Sequence, residues 1–444
     1  MKARTNAHQD NWHHEPVAYG EPSLDLTDQE QGLLAGAGGP ALALAMTLIC
    51  RMAELVGAPR LIPISGAHID SCLYHGGVGL DFAERLASGG GQVAVPTTLN
   101  VSALDLLHPD LVQLDDATRA RARRLTDAYL AMDCQPTFTC APYQLPSRPA
   151  FGEHVAWAES NAIVFANSVL GARTGRYGDF IDICAALTGR VPLAGLHLDG
   201  ERRARIVFHL GGDVARAASD EFFGVLGHLL GRRAGSQVPA IVGLPATTTE
   251  DQLKQIGAAA ASSGSVGMFH AVGITPEAPT LADACGGQPP DTEIEVTSAM
   301  LAEAWQELSR WDGASPLAAV SVGTPHFSAA EFDSLAGLLA GRRIHRGIEM
   351  YASTGRDVLA AIESAGVGAT IRDAGVRIVV DTCTYITPVL HAQRGATVMT
   401  NSAKWAWYGP GNLGVQVVYG SLADCVESAV AGKVVRERPA YLDG

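Results

Sequence analysis

Two hydrophobic periods alternate along this chain: apolar residues every three to four positions, and short continuous apolar runs. The first period predicts amphipathic helices at Pro40 to Val56 and Asp115 to Ala131. The second predicts short buried strands at Arg60 to Ile64 and at Val376 to Val380, the latter rich in β-branched residues. The chain therefore mixes helices and strands along its whole length.

From about residue 291 the two periods follow one another regularly. We predict helices at Thr297 to Arg310, Ala329 to Leu339 and Gly355 to Ala365, and strands at Ala318 to Val322, His345 to Met350 and Val376 to Val380. Such alternation with short connections predicts a parallel sheet with right-handed crossovers. We assign the chain to the α/β class, with several α/β/α units and largely parallel sheets.

Changes in this pattern predict the domain organisation. Residues 1–24 are polar and rich in histidine, which indicates a flexible N-terminal extension. Residues 25–200 form a first α/β domain that carries most of the polar loops. A charged connection from about Leu196 to Gly212 marks a boundary. We therefore place a small α/β domain at 201–290 and a C-terminal α/β domain at 291–444.

Composition excludes several classes of protein. The 444 residues are 47% apolar and 18% charged, which is typical of a folded α/β protein. The formal net charge of −14, without a basic stripe, argues against nucleic acid as a partner. The most apolar early segment, Ala35 to Leu55, contains Pro40 and Arg51, so we predict no membrane span. Eight cysteines without framework spacing predict reduced thiols in a cytoplasmic protein.

Two cysteines lie where predicted strands open into loops. Cys383 follows the strand Val376 to Val380, and Cys140 precedes Pro142, which ends any regular element there. Ligands bind at the carboxyl ends of strands in open α/β sheets, although a lone cysteine is more often a buried apolar residue. The two thiols could meet at one metal. Sulfurs more than about 10 Å apart would exclude a shared centre, because metal–thiolate bonds are close to ~2.3 Å.

Other polar groups also follow predicted strands. The run from Ser65 to Gly77 contains two histidines, an aspartate, two serines, a cysteine and a tyrosine, among them His68 and Cys72. A solvated loop is the plain alternative, but loops this rich in ligand-capable groups are typical of functional sites. Asn100 ends a second polar stretch of the same kind.

The segment from Phe151 to Ser168 shows a helical period that places Glu153 and Asn161 on one face. Since the segment is otherwise apolar, we predict that this face lines a buried site. A glycine-rich turn with Arg173 and Arg176 follows. These arginines either bind a carboxylate or are ordinary surface charges.

Known motifs narrow the function. The chain has no GxGxxG opening a helix, Walker loop, HExxH, CxxC or GxSxG in a strand–turn–helix setting, so standard nucleotide, zinc-protease and hydrolase functions lose their main support. Eight ordered motifs instead resemble the large subunit of aconitase X, a group of iron-dependent dehydratases in the aconitase superfamily. The motifs are Ser65-Gly66-Ala67-His68, Pro96 to Asn100, Thr139-Cys140-Ala141-Pro142-Tyr143, Gly152-Glu153 with Asn161 and Asn167, Arg173 to Gly178, Gly323-Thr324-Pro325-His326, Asp381-Thr382-Cys383 and Asn401-Ser402-Ala403-Lys404.

The resemblance runs from about residue 25 to the last residue and implies an aconitase-like fold around a central cleft. It implies an iron-dependent hydro-lyase acting on a small 3-hydroxy acid. The bacterial branch of the family resembles cis-3-hydroxy-L-proline dehydratase, which forms pyrroline-2-carboxylate, and the archaeal branch resembles phosphomevalonate dehydratase. A non-catalytic iron-binding regulatory protein is the alternative from another class.

The resemblance also implies the cofactor and its ligands. Cys140 and Cys383 match the family's iron or iron–sulfur ligands. Where the archaeal branch has a further cysteine this chain has Thr324, so Cys72 either supplies the third thiolate or merely lines the pocket. Mononuclear, two-iron and four-iron centres all remain open.

Dehydration needs a Lewis acid on the departing hydroxyl, donors on the substrate carboxylate and a base for the α-proton. On the resemblance, Arg173 and Lys404 bind the carboxylate, and Glu153 holds a substrate amine or moves a proton. The remaining substrate-binding or orienting residues are Ser65, His68, Asn100, Asn161, Tyr177 and Ser402. No segment is left for the small swivelling domain of aconitase-like enzymes, so we expect a separate small subunit, which could contribute the base.

Overall fold

A computed structural model describes residues 24–212 and 219–442. Apart from Leu24, the predicted N-terminal extension at 1–24 lies outside the described residues. No helix in the described ranges has both the length and the apolar character needed to cross a bilayer.

The first α/β unit contains a two-stranded and a three-stranded sheet. Its strands are β1 (Leu61–Pro63), β2 (Ala67–Ile69), β3 (Thr97–Leu99), β4 (Ala156–Trp157) and β5 (Arg190–Pro192). β1 and β5 are antiparallel, whereas β2 lies between β3 and β4 and is parallel to both. Its α-helices are Asp28–Leu34, Pro40–Leu55, Gly77–Ser88, Asp116–Ala131, Ser160–Phe165 and Ile181–Thr188, with a π-helical turn at Ala166–Leu170 and 3-10 turns at Pro109–Leu111, Pro142–Gln144, Gly195–His197 and Asp199–Glu201.

The helix Pro40–Leu55 shows why this unit folds as predicted. Its start is favoured by Pro40 at the first turn, and its buried face repeats at helical spacing through Ala41, Ala45, Ile49 and Ala53. That face packs with the helix Ile181–Thr188 in one hydrophobic core. The same core includes Ala67 and Ile69 of β2, Leu99 of β3 and Ala156 of β4.

The second unit is a four-stranded parallel sheet in the order β8-β7-β6-β9. The strands are β6 (Ile206–Leu210), β7 (Pro239–Val242), β8 (His270–Ala271) and β9 (Thr292–Val296), and the helices are Asp220–Ala234, Glu250–Ser263, Leu281–Ala284 and Ser298–Glu307. The predicted boundary at residue 290 falls inside this unit, because β9 pairs with β6 and the helix Ser298–Glu307 packs on Asp220–Ala234. A pattern of local periods cannot show which sheet a strand joins.

The helices Asp220–Ala234 and Glu250–Ser263 approach each other closely at Gly227. A Cβ atom at Gly227 would lie 2.3 Å from the Ile256 carbonyl oxygen. We therefore expect Gly227→Ala to lower the free energy of unfolding by about 1–3 kcal/mol through overpacking, although alanine is the better helix former. Gly337→Ala is the control, because Gly337 is exposed in a helix and its Cβ would meet nothing within 4 Å. It should raise stability by up to about 1 kcal/mol. Urea unfolding measures both, and equal effects would contradict the close helix contact.

The third unit confirms the predicted alternation. Its strands are β10 (Leu317–Phe327), β11 (Glu349–Thr354), β12 (Val376–Val379), β13 (Thr397–Thr400) and β14 (Gln416–Tyr419). They form one parallel sheet in the order β12-β11-β10-β13-β14. The helices are Ala329–Leu339, Arg356–Ser364, Val367–Asp373, Ala403–Leu413 and Leu422–Ala431, with a 3-10 turn at Ala440–Leu442. The α/β fold with largely parallel sheets is thus as predicted.

Candidate metal centre

The carboxyl ends of two parallel sheets meet between the first and third units. In the first unit, Asn100 directly follows β3 and Glu159 closely follows β4. In the third, Cys383 follows β12 and Lys404 follows β13. The two sets are joined by an ion pair between Lys404 and Glu159 and by a 2.7 Å hydrogen bond from the Ser102 N–H to the Asp381 carbonyl. This junction is the type of strand edge at which α/β proteins bind ligands.

Three metal-ligating side chains converge at this junction. One ligand atom each from Cys140, His326 and Cys383 lies within 4.8 Å of the other two, and all three residues are buried. The main-chain N–H of His326 also donates to the Cys140 sulfur at 3.3 Å. The prediction that Cys140 and Cys383 meet is confirmed. His326 stands in one of the eight motifs, but the sequence alone does not predict it as a ligand.

The His326 ring is held in a neutral form. Burial lowers its pKa to about 4. Its Nε2 lies 3.2 Å from the Thr382 carbonyl oxygen, and its Nδ1 lies 3.2 Å from the Thr139 hydroxyl. Since a carbonyl only accepts, these contacts assign the proton to Nε2. The Thr382 carbonyl and the Thr139 hydroxyl thus fix the tautomer and the orientation of the ring, as outer partners of metal ligands do.

Asp381, two residues before Cys383, has a strained backbone conformation and an ion-paired side chain. Asp381 has φ = 62°, a left-handed conformation uncommon in residues other than glycine, and its carboxylate accepts two 2.7 Å hydrogen bonds from Arg356. A hydrogen bond with Cys140 is the main cause that raises the pKa of the Cys383 thiol, and burial raises it further. A bound cation would reverse that direction by stabilising the thiolate.

Lys404 lies beside the thiols, paired with a carboxylate that the sequence pattern did not single out. Its ammonium donates to the buried Glu159 carboxylate and to the Ser160 hydroxyl at 3.2 Å, and it lies 5.9 Å from the centre of the Tyr385 ring. Burial opposes the charged form, but Glu159, Tyr385 and Cys140 outweigh it and raise the Lys404 pKa. Lys404 is thus a buried permanent cation at the junction.

Asn161 and Ser402 have positions that define their roles. The Asn161 amide donates to the Cys140 carbonyl at 2.8 Å and accepts from the Tyr143 hydroxyl at 2.6 Å, so it orders the loop that carries Cys140. The Ser402 hydroxyl accepts from the Trp405 N–H at 3.0 Å and caps the helix that carries Lys404.

The structure corrects the helical face predicted for Glu153 and Asn161. The chain forms strand β4 at Ala156–Trp157 and becomes helical only at Ser160, where Glu159 is the N-cap. Pairing with β2 overrides the helical period. Glu153 is exposed, and its carboxylate accepts the Ala150 N–H at 2.9 Å instead of facing the thiols.

We therefore expect Glu153→Gln to leave kcat and KM within about twofold, as for a surface change of roughly 0.5 kcal/mol. Steady-state kinetics measure this. Glu159→Gln is the matched variant and should lower kcat strongly, because Glu159 holds Lys404. A loss of about tenfold or more for Glu153→Gln would show that its carboxylate acts in turnover.

Cys72 does not join the group. Its thiol is buried in the core of the first unit and donates to the backbone carbonyls of Ile69 and Asn100 at 3.3 and 3.2 Å. It is not among the described side chains that lie within 4.8 Å of one another at the centre. The position of Cys72 after a strand does not show that its side chain packs into the core of the first unit.

The structure engages Ser65, Arg173 and Tyr177 in contacts outside the cysteine–histidine group. Arg173 pairs with the Asp199 carboxylate and donates to the His197 carbonyl. The Tyr177 hydroxyl contacts the His197 ring, and the exposed Ser65 hydroxyl lies 3.4 Å from the His154 carbonyl. Asp199 stands in another loop, and no sequence period signals that pairing.

His68, Asn100 and Asp70 form a second polar group at the ends of β2 and β3. The Asn100 amide donates to the Asp70 carboxylate, and the His68 Nδ1 lies 2.8 Å from the Thr98 hydroxyl. Burial lowers the pKa of His68 to about 3. The pKa of Asp70 is raised to about 7, mainly by burial and also by the negative charge of Glu159. The Asn100 Oδ1 atom is buried without a hydrogen-bond partner in the described structure, whereas the His68 ring also meets the Thr139 backbone. An unpartnered buried atom of this kind is expected where a polar ligand binds.

Comparison with known proteins identifies the family. Models of the first, second and third domains of aconitase X match residues 23–200, 204–306 and 317–431. The structure of Thermococcus kodakaraensis aconitase X in its holo-form superposes with a TM-score of 0.82 at 30% sequence identity, covering 91% of this chain and 100% of that one.

Curated relatives agree with that match. The chain is 48% identical to a cis-3-hydroxy-L-proline dehydratase of Pseudomonas aeruginosa over 95% of this chain and 72% of the relative. It is 42% identical to one of Hypocrea jecorina, over 95% and 71%. It is 34% identical to the phosphomevalonate dehydratase large subunit of Methanosarcina mazei, over 92% and 98%. These names confirm the prediction of hydro-lyase chemistry, and the chain belongs to the aconitase X family.

Proposed function

We propose that this protein is an iron-dependent hydro-lyase that removes water from cis-3-hydroxy-L-proline. Loss of the C3 hydroxyl and the α-proton gives an enamine, which tautomerises to pyrroline-2-carboxylate. The observation that carries the proposal is the buried convergence of Cys140, His326 and Cys383 beside the Lys404–Glu159 pair. Two relatives named for this activity, 48% and 42% identical, support the choice of substrate.

The donor set fits iron. Two thiols and a neutral imidazole are ligand types that iron accepts, both as a single ion and, through cysteine, in clusters. The buried Thr324 hydroxyl, two residues from His326, has no hydrogen-bond partner in the described structure, which fits a polar group that faces a bound species. Cys140, His326 and Cys383 would hold the iron. When bound, it supplies Lewis acidity toward the departing hydroxyl.

The residues of the chain itself account for substrate binding. Lys404 offers a buried positive charge to the substrate carboxylate, and Glu159 and Ser160 fix the direction of its ammonium. Asp70 takes the role predicted for Glu153, because its carboxylate lies with Asn100 and is suited to hold the ring amine. The unpartnered Oδ1 atom of Asn100 supplies a further contact.

The pairing of the cations favours an unphosphorylated substrate. A phosphate group calls for several available basic groups. In the described structure Lys404 supplies the one positive charge that a carboxylate needs, whereas Lys254 is paired with Asp251 and Glu331, and Arg173 is paired with Asp199. Arg176 donates to the Val266 carbonyl. A small amino acid with one carboxylate matches this set better than phosphomevalonate.

We propose further that a small swivel-domain subunit completes the active site and contributes the base. Relatives such as that of Methanosarcina mazei are named as large subunits, and the match covers 98% of its length. It covers 72% of the Pseudomonas aeruginosa relative, whose remaining part we take as the counterpart of the small subunit.

The test is turnover by anaerobically prepared protein together with that subunit. We expect cis-3-hydroxy-L-proline to be consumed with formation of pyrroline-2-carboxylate, and phosphomevalonate to be left unchanged. The double variant Cys140→Ala with Cys383→Ala is the control and should be inactive. Iron-loaded protein that leaves the amino acid unchanged would overturn the proposal, as would preferential turnover of phosphomevalonate.

A further inference from the structure

The second unit supplies none of the three metal-ligating residues, but it places a buried lysine against one of them. Lys254 lies on the helix Glu250–Ser263 and is 2% exposed. Its ammonium donates to Asp251 at 2.8 Å and to the Glu331 carboxylate of the third unit. A buried lysine needs such partners, because an unpaired ammonium is costly to remove from water.

The same ammonium reaches the backbone of His326. Its Nζ lies 3.5 Å from the His326 carbonyl oxygen, which also accepts from the Gln144 side-chain amide at 3.2 Å. On the other side of the peptide chain, the His326 N–H points at the Cys140 sulfur. The main chain of His326 is therefore held from the first and second units while its ring lies beside Cys140 and Cys383.

The carboxylates of Asp251 and Glu331 also bind Ser328, two residues after His326. Asp251 accepts from the Ser328 hydroxyl at 2.7 Å, and Glu331 accepts from the Ser328 N–H at 2.8 Å. Ser328 in turn caps the helix Ala329–Leu339. The corner where β10 ends and this helix begins is thus fixed by charged groups of the second and third units.

Stability alone is a weak reason for this cluster. A buried ion pair often contributes little net free energy compared with well-packed apolar residues, because desolvation offsets attraction. What the cluster supplies that apolar residues cannot is a directed contact to one carbonyl. The contact of the Lys254 ammonium with the His326 carbonyl fixes the position and orientation of that peptide group.

We propose that Lys254 is a positioning residue for the metal centre, holding the His326 main chain so that its ring reaches the site formed with Cys140 and Cys383. The inference rests on the proposed iron site and assigns the second unit a role in it. Outer partners of metal ligands typically change metal affinity by about 10–100-fold when removed.

The test compares Lys254→Met with a triple variant, Lys254→Met, Asp251→Asn and Glu331→Gln. In both we expect about 10–100-fold weaker iron binding in anaerobic titration and an altered iron absorption or EPR spectrum. The triple variant removes the uncompensated carboxylate charges and should recover much of the thermal stability that the single variant loses. Its iron affinity should stay low.

Arg202→Met is the matched control. Arg202 is equally buried and paired with Glu277, but its contacts are with residues other than His326. It should lose stability and keep the wild-type iron spectrum. A triple variant that binds iron with wild-type affinity and spectrum would overturn the proposal, as would an equal iron loss in Arg202→Met. Failure of the proposed function would appear separately, as wild-type protein that holds iron without converting the amino acid.

Discussion

Replacing Cys383 or Cys140 by alanine is expected to remove bound iron and turnover together. Each sulfur is one of three ligand atoms that lie within 4.8 Å of one another in a buried site. Loss of a direct ligand should exceed the effect of losing an outer partner, so we expect iron affinity to fall by more than about 100-fold. Iron per chain after anaerobic gel filtration, together with kcat, measures the effect.

Cys72→Ala and Cys425→Ala are the matched controls. Both thiols are buried, and the structure does not bring either to the group formed by Cys140, His326 and Cys383. They should lose a little stability through small cavities and keep their iron. If Cys72→Ala lost iron as fully as Cys383→Ala, the centre would include Cys72, and a ligand set of Cys140, His326 and Cys383 alone would be incorrect.

Lys404→Met is the second change with a large expected effect. Lys404 and Glu159 have side chains only 3% and 5% exposed, so removing the lysine leaves a buried unpaired carboxylate. We expect the free energy of unfolding to fall by about 3–5 kcal/mol. Turnover should fall by roughly 10²–10³-fold, as for loss of a group that stabilises developing charge. Urea unfolding and steady-state kinetics measure the two effects.

The double variant Lys404→Met with Glu159→Gln separates stability from chemistry. Neutral glutamine no longer needs a cation, so much of the stability should return. Turnover should stay low, because the positive charge that binds the substrate carboxylate is still missing. Recovery of wild-type kcat in the double variant would show that Lys404 is only a structural partner of Glu159.

Local pattern predicts most of the fold and part of the centre. The alternation after residue 291 predicts a parallel sheet and three of its five strands, β10, β11 and β12, because strand and helix periods there agree with the final packing. The sequence offers the meeting of Cys140 and Cys383 only as a possibility, because the two thiols belong to different units and Cys140 follows an isolated bridge of Gln135 with Thr98 in place of a strand.

What the sequence could not show depends on tertiary pairing. The prediction for Glu153 assumes a helical spacing from Phe151 to Ser168. Part of that stretch is strand β4, which pairs with β2, so the spacing does not hold there and the residue beside Lys404 is Glu159. Arg173 pairs with Asp199, which lies in another loop, and no local pattern predicts that pairing. His326 stands in a family motif, but its role depends on the way β10 ends against Cys140. In each case a contact distant in sequence decides the role.

Iron-edge anomalous diffraction from crystals of the anaerobically prepared enzyme, together with the proposed small subunit, tests the central claim most directly. We predict an iron peak bonded to the sulfurs of Cys140 and Cys383 at about 2.3 Å, the length typical of metal–thiolate bonds, with the His326 ring as a further ligand. An iron peak bonded at Cys72 in place of His326, or no iron at these sulfurs in active enzyme, would contradict it.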